Sequence, residues 1–266
     1  MGLASQTSKN RSIPHKKGSF YFYWGYNRST FSESDIHFTG PQYDFTLYGL
    51  KASDRPSSFG TVYFNPAVFT VPQYNYRLGY FFTDRFAVSL GMDHMKYVMN
   101  AYQEVTISGV IKPAASLQYA GNYLNNSMKI QPDFLMFEHT NGFNLLSLDA
   151  EYLQPLFSLH QELFSLHWNI GAGAGILIPK TDVRVMGDGL DNRFHVAGYA
   201  TSFKTGPRIE YKHKIFLSAE YKAGYASLPD VLIKNDAPMR AEHNLFFYEY
   251  YVVAGIQFNL HHKKEK

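Results

Sequence analysis

Residues 74–93 read YNYRLGYFFTDRFAVSLGMD. On an extended chain Tyr74, Tyr76, Leu78, Tyr80 and Phe82 share one side, and Asn75, Arg77 and Gly79 share the other. After Thr83-Asp84-Arg85 the alternation resumes, with Phe86, Val88, Leu90 and Met92 opposite Ala87, Ser89, Gly91 and Asp93. Period two on both sides of a short polar link predicts an antiparallel hairpin. Its two faces differ in an unusual way. The apolar face is crowned with aromatics, and the other mixes glycine with charges of both signs.

The same pattern recurs in six further segments. Phe20, Phe22, Trp24 and Tyr26 share a face, as do Leu146, Leu148, Ala150 and Tyr152, then Leu166, Trp168, Ile170, Ala172 and Ala174. Phe203, Pro207, Ile209 and Tyr211 follow, then Ile215, Leu217, Ala219, Tyr221 and Tyr225, and finally Tyr248 through Phe258. A soluble β-sandwich also alternates, but it turns its polar face to water and builds its core from branched aliphatics. An aromatic-crowned apolar face set against paired charges and glycines instead predicts a small membrane barrel, apolar outside and filled inside.

Connection lengths support the barrel independently. Short links are expected at Thr83-Asp84-Arg85, from Gln154-Pro155 to His160, and at Lys212-His213-Lys214; long ones at about 28–72, 98–140, 179–193 and 227–245. Eight strands place every short link at one end and every long link at the other, and ten would break that parity. The expected fold is therefore all-β: an eight-stranded antiparallel transmembrane barrel with periplasmic termini and long extracellular loops. The first long loop should carry its own hairpin, from Asp35–Phe38 and Tyr43–Leu47.

Composition removes other classes. The chain has 266 residues, no cysteine, 25 Lys+Arg and 22 Asp+Glu, so thiolate chemistry, iron–sulfur clusters and disulfides are out, and nothing basic enough for nucleic acid is present. The longest apolar run, residues 250–256, is far short of the roughly 20 residues of a membrane helix. The expected organisation is an N-terminal periplasmic segment (1–17, with a signal-peptide remnant at 1–6), one barrel domain (18–260) and a charged tail (261–266). No cofactor and no metal are expected: none of the 11 histidines has zinc-site spacing.

GSFYFYWGYNRSTFSESDIHFTG, YDFTLYGLKASDRP, NYRLGYFFTDRFAVSLGMDHMKYVM and FEHTNGFN resemble outer-membrane β-barrel proteins of Bacteroidota. More broadly, the chain resembles the small eight-stranded barrels of the OmpA and OmpW type. The resemblance covers most of the chain. It implies fold and a Gram-negative outer-membrane location, with outer-membrane lipid, lipopolysaccharide and an envelope complex as partners. The end of the last strand, Gln257-Phe258-Asn259-Leu260, is similar to the C-terminal insertion signal of such barrels, but here a tail follows it.

Two sets of residues could carry function. Arg77, Lys204, Arg208 and Lys222, facing inward with Asp93, Asp149, Glu151, Glu210 and Glu220, should pair into a lumen charge network, because an unpaired buried charge is costly. Three acid–histidine dipeptides, Asp93-His94, Glu138-His139 and Glu242-His243, fall near the long-loop ends. His139-Thr140-Asn141, with Glu151 downstream, is similar to the active-site run of the PagL-type lipid A deacylases, which implies His139 as base, Thr140 as nucleophile and Glu151 as orienter. That run departs from the family in lacking its serine, and alternation turns Thr140 away from His139 unless a bulge intervenes. The leading expectation is a non-enzymatic envelope protein whose loops bind lipopolysaccharide, a protein partner or a surface ligand. Acyl-ester hydrolysis at the outer rim and a passage for small apolar molecules through a lateral or loop-framed opening are the alternatives; no open channel along the axis is expected.

Overall fold

The computed structural model describes residues 16–65, 67–68, 71–159, 163–189, 193–234 and 238–260. Residues 1–6, expected as a signal remnant, and 261–266, expected as a charged tail, lie outside the described residues. In chain order the strands are β1 (Phe20–Phe31), β2 (Ser34–Gly40), β3 (Tyr43–Leu50), β4 (Ala52–Ser53), β5 (Tyr74–Phe81), β6 (Phe86–Met99), β7 (Glu104–Ile111), β8 (Gly121–Lys129), β9 (Leu135–Leu159), β10 (Phe164–Leu177), β11 (Asp182–Val185), β12 (Asp188–Gly189), β13 (Gly198–Tyr211), β14 (Ile215–Leu232) and β15 (Arg240–Phe258).

Eight of these close a ring in the order β1, β5, β6, β9, β10, β13, β14, β15, with β15 pairing back onto β1 from Phe20↔Phe258 to Phe31↔Phe247. Closure leaves the ring without an unpaired edge, which is the condition for strands to stand in lipid. Alternation then sorts the side chains. Outward positions within 20–26, 74–82, 86–92, 146–157, 164–176, 199–211, 215–225 and 246–258 are apolar, aromatic or uncharged; Leu90, Leu148, Phe203, Tyr221 and Val252 are each about half exposed or more. No outward position in these segments carries a charge. This belt faces hydrocarbon.

Above the belt, at the long-loop end, strands continue. β15 extends past it and pairs β2, which carries β3, β7 and β8 in turn, while β11 joins the top of β9 and β4 the top of β6. The inward residues of this cap make an apolar core: Ile36, Phe38, Phe45, Leu47, Ile107, Phe137 and their neighbours are essentially inaccessible. Water surrounds the cap, so the hydrophobic effect acts there as it does in a soluble domain.

The β2–β3 hairpin forms where the sequence placed it. Two link boundaries need correction. Gln154-Pro155 lies inside β9 rather than in a turn, because a bulge at Leu156 lets the strand absorb a proline: Leu166 pairs Phe157 and His167 pairs Pro155. What remains of that link includes residues outside those described. The long link at 227–245 is mostly strand, with β14 running to Leu232 and β15 starting at Arg240. A register shift between Leu228 and Val231 absorbs Pro229, and the inward Leu228, Val231, Ala241 and Leu245 are claimed by the cap core.

Candidate functional site

Inside the belt the wall delivers charges to the axis. Arg77 on β5 is fully buried, with Nη1 2.7 Å from Asp149 and Nη2 3.3 Å from Asp93. Its Nε donates to the Tyr23 hydroxyl at 3.1 Å. Lys204 lies between Glu151 (3.1 Å), Asp149 (3.3 Å) and Glu220 (4.0 Å), and Lys222 pairs Asp93. Carboxylate lone pairs left over are taken by neutral donors: Tyr21 and Asn169 to Glu151, Tyr251 to Glu220, Asn75 to Asp93. Arg208 and Glu210 form a separate floor 2.9 Å apart, where the guanidinium sits 3.5 Å from the Phe216 ring centre and Lys16 and His167 also reach Glu210.

A closed eight-stranded ring with an apolar exterior and a packed ionic interior decides the class. The chain folds as an outer-membrane β-barrel. Solved structures similar to it are the outer membrane protein OprG from Pseudomonas aeruginosa (11% identity, covering 93% of this chain and 99% of that one, TM-score 0.44), the outer membrane protein AlkL (11%, 100% and 99%, 0.44) and Neisserial surface protein A (10%, 91% and 100%, 0.41). No protein-family model and no curated protein matches the chain.

The three residues of the deacylase-like run are not brought together. His139 points inward and is inaccessible, its Nδ1 2.8 Å from Thr181 Oγ1. Thr140 points outward and donates to Glu138 at 2.8 Å. Glu151 is deep in the lumen network: it pairs across to Ala87, whereas His139 pairs to Tyr97, ten residues further along β6. At strand rise that is on the order of 33 Å. A bulge does occur in β9, but it serves another end than turning Thr140 to His139.

Alternation also splits the acid–histidine dipeptides. Asp93 joins the lumen while His94 stacks outside on Tyr74; Glu242 is exposed while His243 is buried. The structure does place His243 beside a hydroxyl that the sequence reading missed. Its Nε2 is 2.9 Å from Ser34 Oγ and 3.4 Å from the Tyr97 hydroxyl. This is half a nucleophile–base pair and no more. Among the described residues Nδ1 of His243 and Nε2 of His139 have no partner, so no carboxylate there orients either ring, and both rings are sealed beneath the cap beside Tyr97 and Phe137. Burial pushes both imidazoles down to about 3, with His243 adding to the effect on His139. They are neutral packing groups.

Glu249, which alternation turns inward, and Lys16 join the charged residues of the lumen beyond those the sequence grouped there. Glu249 is fully buried and accepts from Asn75 at 3.3 Å; its place opposite Tyr250 in the alternation was the available signal. Lys16 enters the floor from outside any strand, and no periodicity marks it.

Proposed function

We propose that the protein is an integral outer-membrane β-barrel of a Gram-negative envelope, with both termini periplasmic, that works without enzymatic chemistry. Its extracellular cap is a rigid platform that engages lipopolysaccharide, a protein partner or a surface ligand. The observation that carries this reading is the cap core. Loops that merely close barrel ends need no interior, whereas here β9, β14 and β15 run unbroken from the belt into a second packed chamber. A surface held this stiffly loses little conformational entropy on binding. Sidedness follows from the links, since short turns mark the periplasmic end of such barrels and the cap occupies the other.

Deacylation has little support in the geometry, which separates His139, Thr140 and Glu151 and buries the Ser34–His243 pair. A lumen filled by Arg77, Lys204 and Lys222 leaves an apolar molecule only a lateral or loop-framed way through.

The cysteine-free chain offers a clean test. Leu124→Cys on the cap should react with a membrane-impermeant maleimide in intact cells, and Lys212→Cys at a short turn only after permeabilisation. The reverse pattern would overturn the assignment of sides, and equal labelling in a soluble fraction would overturn the membrane location. Crosslinking from Leu124→Cys should then trap a partner of the cap.

A further inference from the structure

At the upper edge of the belt β9 bulges outward. Met95 pairs Phe143 and Tyr97 pairs His139, so Thr140, Asn141 and Gly142 stand opposite the single residue Lys96. Gly142 permits this with φ 132, and a Cβ there would fall 2.4 Å from the Asn144 amide. Beneath the bulge lies a groove of about 410 Å³ on the outer wall, floored by Tyr74, His94 and Asn144 and bounded by Ile178 and Phe194. The floor is fixed. Tyr74 and His94 stack at 4.8 Å and 7°, His94 Nδ1 is 2.7 Å from Asn144 Oδ1, and the Asn144 amide donates to the Ile178 carbonyl at 3.0 Å.

Two lysines follow groove residues along the chain, towards the cap. Lys96 lies one alternation past His94 on β6, and the Lys180 amide donates to the Gly142 carbonyl at 2.9 Å on the other side of β9. The backbones of Lys96 and Lys180 therefore flank β9 at two strand spacings, about 10 Å, within reach of one another for two long flexible side chains. Among the described residues neither has a carboxylate within ion-pair distance: Lys96 Nζ donates to the Val71 carbonyl at 3.0 Å, and Lys180 Nζ rests 5.7 Å from the Phe194 ring centre. Below, Met92 joins the groove to the apolar belt. Cations over a trough that is polar at His94, Asn141 and Asn144 and apolar at Tyr74, Met92, Ile178 and Phe194, and that runs down into the belt, match the polarity of one lipid molecule, phosphate above and acyl chain below.

We propose that this groove binds one phosphate-bearing lipid of the outer leaflet, with its phosphate held by Lys96 and Lys180 and an acyl chain lying along Tyr74 and Ile178. The inference rests on the outer-membrane reading above and names one ligand of that barrel.

The test is native mass spectrometry of the full chain in detergent, titrated separately with diphosphoryl lipid A, phosphatidylglycerol and diacylglycerol of matched chains. The gel shift between unboiled and boiled protein serves as the folding control. Wild type should retain one phosphorylated lipid on the order of tenfold more tightly than diacylglycerol. Lys96→Gln with Lys180→Gln should erase that preference, and Ile178→Trp should remove the one-to-one species with both lysines intact. The tighter of the two phosphorylated lipids identifies the source of the phosphate. Equal retention by the double variant overturns the proposal. So does complete displacement by millimolar inorganic phosphate with Ile178→Trp inert, which would make this a site for the anion alone. Wild type without a gel shift overturns the barrel reading itself, and the lipid site with it.

Discussion

Arg77 shows how a residue that would be ruinous alone becomes structural in company. Removing its guanidinium leaves Asp93 and Asp149 with one cation each, Lys222 and Lys204, and leaves the Tyr23 and Ser147 hydroxyls without its N–H groups. Breaking a buried pair by deleting one partner costs about 3–5 kcal/mol, so Arg77→Ala should lower the unfolding temperature in detergent markedly, read from the boiled–unboiled gel shift. Arg77→Lys should recover only part, since an ammonium cannot reach both carboxylates in fork geometry. An unchanged unfolding temperature for Arg77→Ala would mean the network contributes nothing to stability. His139 and His243 behave oppositely. Their native values near 3 lie below an unfolded value near 6.5, so an opened cap binds protons that the closed cap refuses. Cap stability is full above about pH 6.5 and is lost as pH falls towards 3, on the order of 2 kcal/mol per imidazole by pH 5. Near-UV circular dichroism should show the aromatic cap loosening across that window. In His139→Gln with His243→Gln the loosening should be much reduced, and an equally steep acid response there would remove the imidazoles as its cause.

At the scale of elements, the hairpin turns and bulges separate what the sequence could say from what it could not. The β13–β14 turn was legible as Lys212-His213-Lys214 between two alternating runs. Its cost was not: both Lys212 and His213 hold positive φ, 50° and 55°, where side chains other than glycine are strained by roughly 1–2 kcal/mol each. Lys212→Asn with His213→Gly installs residues suited to such a turn and should raise the unfolding temperature, corresponding to about 1–2 kcal/mol after loss of the His213–Glu210 contact. A fall instead would mean that this contact outweighs the strain. The ring strands were readable because lipid outside and charge inside impose opposite polarity on successive residues, and the inward acids and bases were readable for the same reason. Cap strands such as β7, β8 and β11 were not, because a cap wetted on one side and shared among non-local strands leaves short, ordinary patterns. Pro155 misled, since a bulge lets a strand carry a residue that cannot donate, and β14 absorbs Pro229 in the same way. The split of His139 from Glu151 was foreseeable from twelve residues of extended chain. The Ser34–His243 contact was not, since it joins positions 209 residues apart.

For the whole molecule, two chambers of opposite character are stacked in one tube, and together they predict a closed axis. The lower chamber holds Arg77, Lys204 and Lys222 with their carboxylates at the axis, above a plate of Tyr21, Phe81 and Phe216. The upper chamber is an apolar core that closes over it. An ion entering from the cap side would have to part packed aliphatics without hydration, and one entering from the floor would meet Lys16, Arg208 and Glu210 already paired. An eight-stranded ring has room for its own side chains and little else. Purified protein in a planar bilayer at high salt should therefore give no resolved open-channel steps. The comparison that makes this informative is a variant relieved of filler in the lower chamber alone, Arg77→Ser with Lys204→Ser and Asp149→Ser. If that variant also stays silent, the cap core is a sufficient seal. If it conducts while wild type does not, ions pass around the cap, and the charge network is the seal. Resolved steps from wild type would mean that both chambers open, and would overturn the expectation of a closed axis.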